Sequence, residues 1–215
     1  MKKILLFALS CSALFGQHNH SATTREEKPV ALYPGLGSWR HPIATTNPEA
    51  QRYFDQGLIL LYSFNRPEAL RSFRKAAELD PNATMADWGV SMAMGPYLNM
   101  DMDPSYQING SCEAAKTGLA LQNSSETDRA WLHAAAARCP DYADPKPYIK
   151  AMREIAAGNP DDPDAQTLYA EALIVPVRWH CYDQHGKAAE GVPEVGIDLK
   201  VNQLAEPAKT PATVA

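Results

Sequence analysis

The chain has 215 residues, 45% of them hydrophobic, enough to bury a core in one domain or one small repeat array. Its formal net charge is −5, and without Lys2 and Lys3 the balance is 18 basic to 25 acidic side chains, a net of −7. No basic stripe remains, which argues against nucleic acid as a partner, and strand-type residues do not cluster, which favours an all-helical class.

Residues 1–17 stand apart. Lys2 and Lys3 precede an apolar run from Ile4 to Phe15, closed by Gly16. That is a basic region plus hydrophobic region of signal-peptide length, too short for a permanent membrane span. No later stretch is long enough either. The expected location is therefore periplasmic or secreted. Cys11 would need a lipobox leucine that stands one place out, so lipid anchoring there is not expected. Residues 18–46 form a tail and a covering loop. His18 and His20 read as part of a solvated tail, with loose copper or zinc binding as the alternative. From Pro29 to Thr46, apolar Leu32, Tyr33, Leu36, Trp39 and Ile43 sit among Gly and Pro, as in a segment lying along helices.

The repeat-like domain is expected over 47–175. A first helix over Pro48–Tyr62 has apolar residues at Ala50, Tyr53, Phe54, Gly57, Leu58, Leu60 and Leu61, one broad stripe. A second, Pro67–Leu79, turns Ala69, Leu70, Phe73, Ala76 and Ala77 inward. Asn47-Pro48 and Asn65-Arg66-Pro67-Glu68 supply capping residues before a first-turn proline, and Asp80-Pro81 is a stop. The spacing of Tyr53, Gly57, Ala69, Phe73, Ala76 and Pro81 resembles the tetratricopeptide repeat, a helix pair of about 34 residues that stacks into a superhelix. Tyr53 and Gln56 replace its usual tryptophan and leucine.

Ala83–Gly95 starts the pattern again. Tyr97 to Asn109 reads as a loop, and Glu113–Leu121 as a short helix. A capping box at Ser125 opens a helix to Arg138, with Trp131 inward. Asp144-Pro145 opens another to Ala157, and Asp162-Pro163 a last one to Val175. The array would hold roughly three and a half helix pairs, an all-α solenoid. Residues 176–215 read as irregular, and Ala205–Ala215 as disordered. The last helix lacks a mate, so self-association through its exposed stripe is expected unless the tail or a partner covers it.

Taken together, His41-Pro-Ile-Ala-Thr-Thr, Ala50 to Gly57, Phe64-Asn65, Ser72 to Pro81, Trp88-Gly89, Pro160 to Ala165 and Leu168 to Leu173 resemble a family of bacterial exported tetratricopeptide-repeat proteins of uncertain biochemical role. The resemblance implies a fold and a compartment, and no reaction. Relatives continue past the Trp179 region into further repeats. Gly196–Ala215 looks unrelated to them, as a C-terminal shortening or a frame change would produce. Arg66 stands where relatives often carry histidine.

Three cysteines follow the leader. Cys112 and Cys139 flank two predicted helices and could close them, or all three thiols could be free. His180, Cys181 and His185 make up the compact cluster of metal-ligand types, yet they lack the number and spacing of a zinc or copper site. No nucleophile elbow, phosphate loop, H-E-x-x-H or haem-attachment motif occurs, so neither an enzyme nor a cofactor is expected. Binding is the positive expectation. If first helices line a concave groove, Phe54, Leu58, Tyr62, Met85, Trp88 and Met92 would face a protein or peptide partner, since Met adapts to irregular partners and Trp anchors them. The same residues could instead pack in the core, or be covered by Leu36 to Ile43 of the same chain. The rivals to a binding scaffold are a metal or redox role for His180, Cys181 and His185, and a truncated, non-functional relative.

Overall fold

The computed structural model describes residues 29–99, 108–122, 124–139 and 141–188. The expected signal peptide, His18, His20, most of the expected Tyr97–Asn109 loop and the expected Ala205–Ala215 tail lie outside the described residues. Within them the chain is all-helical: α1 (Pro48–Tyr62), α2 (Arg66–Leu79), α3 (Thr84–Met94), α4 (Ile108–Ala120), α5 (Glu126–Ala136), α6 (Lys146–Gly158) and α7 (Pro163–Ile174), then a short 3₁₀ turn over Arg178–His180. Each helix packs on the next, and α1 also meets α3 and α3 meets α5. First helices of successive pairs thus touch, an arrangement compatible with a helical repeat array.

Local chemistry sets most helix ends. Asn47 accepts hydrogen bonds from the Glu49 and Ala50 amides, and Asp162 from those of Asp164 and Ala165, each just before a first-turn proline. Ser125 caps α5 by accepting from the Asp128 amide at 3.0 Å. Asn65 departs from expectation. It makes no side-chain cap bond, and its own amide donates to Leu60 O. Glu68 pairs with Arg71 and accepts from the Tyr33 hydroxyl instead. The start of α4 is a correction too, five residues before Glu113. A tertiary contact accounts for it: the Ser111 hydroxyl is fully buried and donates to Ser91 O at 2.8 Å.

The core is organised around Phe73 of α2, which is fully buried. A Cβ at Gly57 of α1 would stand 2.6 Å from its ring, and one at Gly89 of α3 2.3 Å. The two glycines let three helices close on one ring. Phe54 lies 5.4 Å from that ring between centroids, and Trp88 and Trp131 meet edge to face, also at 5.4 Å.

Cys112 and Cys139 form a disulfide that ties the first half of α4 to the turn just after α5. Closing a 27-residue separation stabilises chiefly by restricting the unfolded chain, by about 3 kcal/mol. Urea denaturation with and without reductant is expected to differ by that amount, and the Cys112→Ser/Cys139→Ser pair should abolish the difference.

Candidate functional site

Segment 29–46 is strapped to α1 by side chains of that helix. Tyr53 donates to Val30 O at 2.9 Å, and Gln56 Nε2 donates to Ala31 O at 2.9 Å while its Oε1 accepts from the Tyr33 amide. Gln51 brackets the next turn, giving to His41 O and accepting from the Ile43 amide. Gln51 and Gln56, polar residues inside an apolar stripe, are buried because the strap satisfies them.

The strap inserts His41 among the first helices. Its ring lies 6.1 Å from that of Phe54 and 5.7 Å from that of Trp131, edge on. Its Nδ1 stands 2.8 Å from Asp164 Oδ2 at the start of α7. The other carboxylate oxygen accepts from the Tyr62 hydroxyl at 2.7 Å and the Trp39 indole at 3.3 Å. One buried carboxylate thus gathers the strap, the end of α1 and α7. Burial by itself would pull His41 down, but the hydrogen bond and charge of Asp164, helped by Asp162 and Asp128, leave it raised above 6.5. Burial, then the charge and hydrogen bond of Asp164, push Tyr62 well above its ordinary value, so it stays a donor.

A raised histidine stabilises the fold fully below its unfolded value of 6.5, and that contribution fades as pH rises through the folded value. Melting temperatures from pH 5.5 to 8.5 are expected to fall on the alkaline side, and His41→Gln should remove most of that slope.

Among the described residues, His41, Asp162 and Asp164 are the set whose ligand atoms lie within 4.8 Å of one another. Their atoms already serve the helix cap and the clasp. His180 and His185 are exposed, and the Cys181 thiol donates to Arg178 O at 2.6 Å. That trio does not converge.

The residues expected to line a groove divide. Phe54, Leu58, Met85 and Trp88 are at most 2% exposed. They belong to the packed interior, where His41 lies against Phe54 and Trp131 against Trp88. Tyr62 and Met92 do border an opening. With Leu61, Phe64, Leu98, Leu168 and Ile174 they enclose a cavity of about 320 Å³ between α1, α3 and α7, with Arg66, Thr167 and Glu171 as its polar edge. Arg66 donates to Met92 O and Gly95 O and lies over the Tyr97 ring.

Phe64 forms part of the rim. It has φ +60°, in the left-handed region that glycine normally occupies after a helix, and it is 52% exposed. A bulky residue there is strained, and such strain gathers at binding sites. Glu171 reads as an ordinary helix carboxylate in the sequence. In the structure it borders this cavity and a smaller one, and burial raises its carboxyl against the opposing charges of Arg138 and Arg66. Comparison with protein-family models, curated proteins and solved structures gave no match.

Proposed function

We propose that this chain is a non-catalytic interaction module of the tetratricopeptide type, working outside the cytoplasm and seating an apolar anchor side chain of a protein or peptide partner. The observation that carries the reading is the 320 Å³ cavity, with Leu61, Met92, Leu168 and Ile174 in its wall and the strained, exposed ring of Phe64 at its rim. Its size suits one large apolar side chain, and its few polar groups suit the backbone around that side chain. Methionine and aromatic linings tolerate irregular partners. The Cys112–Cys139 bridge supports an oxidising compartment, as does the basic and hydrophobic leader.

Phage-displayed peptides selected on the protein and then assayed on Ala170→Trp, which fills the cavity from α7, test the reading. Enriched peptides should share one large apolar residue, and Phe64→Gly should weaken their binding while raising the melting temperature by relieving the backbone. Peptides that bind Ala170→Trp equally well would overturn it.

A further inference from the structure

The polar edge of the larger cavity carries one charge of each sign. Arg66 opens α2 and Glu171 lies on α7, with Thr167 one helical turn before it on the same face. The rest of the lining is apolar or aromatic, with Leu61, Met92, Leu168 and Ile174 in the wall. At about 320 Å³ the cavity stands at the small end of ligand pockets, which run from roughly 300 to 1,000 Å³.

The two charges do not neutralise each other by contact. Arg66 Nη2 donates to Met92 O and Gly95 O, and the guanidinium lies over the Tyr97 ring, 4.3 Å from its centroid. Its charge is thereby fixed at the end of α3. Glu171 takes part in no hydrogen bond or ion pair among the described residues. Arg138 faces it from the smaller cavity, buried and stacked over the buried Tyr148 ring, 4.0 Å from its centroid. Both guanidinium charges act on Glu171 through space, yet burial outweighs them and the carboxyl stays raised. A positive donor in direct contact would restore the ionised form.

We propose that the cavity binds a free α-amino acid with a large apolar side chain, its α-ammonium on Glu171 and its α-carboxylate drawn to the charge of Arg66. This rests on the proposed role of the cavity as a seat for one large apolar side chain. A bare cation would meet Arg66 and a bare anion would meet Glu171, so a ligand carrying both signs matches the edge. An α-amino acid has both charges on one carbon and its apolar side chain beyond them, the same division as edge and wall. The Thr167 hydroxyl adds a neutral partner for either group. Bound there, the amino acid takes the place of the partner's anchor.

L-Phenylalanine, L-leucine and L-methionine are the probes, each titrated calorimetrically against the full chain beside its N-acetyl amide, which keeps the side chain and lacks both charges. At least one of the three is expected to bind saturably, and more tightly than its amide by about tenfold or more, the scale of a hydrogen bond to a charged group. Glu171→Gln should weaken that amino acid about tenfold and leave the amide unchanged. Ala170→Trp should weaken both. Equal affinity for amino acid and amide, or wild-type affinity in Glu171→Gln, would overturn the assignment and leave the apolar seat standing. No saturable binding of any of the three amino acids would overturn it as well, and wild-type binding by Ala170→Trp would remove the seat with it.

Discussion

Asp164→Ala is expected to destabilise the fold by about 3 to 5 kcal/mol, the scale for breaking a buried charged pair by removing one partner. The carboxylate is 4% exposed and serves three donors at once: His41, Tyr62 and Trp39. Removing it leaves a buried tyrosine hydroxyl without an acceptor and a histidine without its counter-charge. Asp164→Asn separates the two contributions. Its carbonyl still accepts from Tyr62 and Trp39, so its loss should be smaller, about 1 to 2 kcal/mol. It should also flatten the pH slope assigned to His41, because the neutral amide cannot hold an imidazolium. Urea unfolding of the three proteins at pH 6 and pH 8 gives both quantities. A cost for Asp164→Ala within about 0.5 kcal/mol, the scale of an ordinary surface change, would mean that the clasp is decorative.

Phe73→Ala is expected to cost about 3 to 5 kcal/mol, since a fully buried ring is removed from between three helices. Gly89→Ala should also be damaging, by about 1 to 3 kcal/mol, because its Cβ would press on a ring that Gly57 blocks from retreating. The informative variant is the double one. With the ring gone, the new methyl occupies part of the vacated space, so the combined loss should fall short of the sum by about 1 to 2 kcal/mol. Full additivity in chemical denaturation would show that helix spacing at this crossing does not depend on the ring.

How far the fold could be read from the chain follows from the range of each signal. Asn47-Pro48, Ser125 and Asp162-Pro163 act within three residues, so those helix starts were legible. The small residue at Gly57 and the bulk of Phe73 announced a close crossing, because only such a pair permits one. Ile108 to Ser111 carry no starting signal. Their helix depends on Ser91 across the interface, which no local pattern encodes. The candidate site was less legible for the same reason. The inward faces of α1 and α3 were correctly identified as apolar, and a covering stretch was expected from Leu36 to Ile43, but that His41 is the ring it inserts and that Trp131 on α5 joins it were not legible. Gln51 and Gln56 were the available hint, since two amides in an apolar stripe require a backbone to bind. The junction of Arg138, Tyr148 and Glu171 had no sequence mark. Each is unremarkable on its own helix or turn, and only packing removes Arg138 and Tyr148 from water.

The strap also has a consequence for the order in which the chain can be completed. It precedes every described helix, yet His41 must await a carboxylate 123 residues further along. At synthesis rates of roughly 5 to 20 residues per second, that partner emerges roughly 6 to 25 s later. Until then the strap is held to α1 by Tyr53, Gln51 and Gln56, with Trp131 already able to cover Trp88. A nascent chain halted before α7 would leave His41 without its carboxylate, and the last of the described α-helices would be the one that secures the strap.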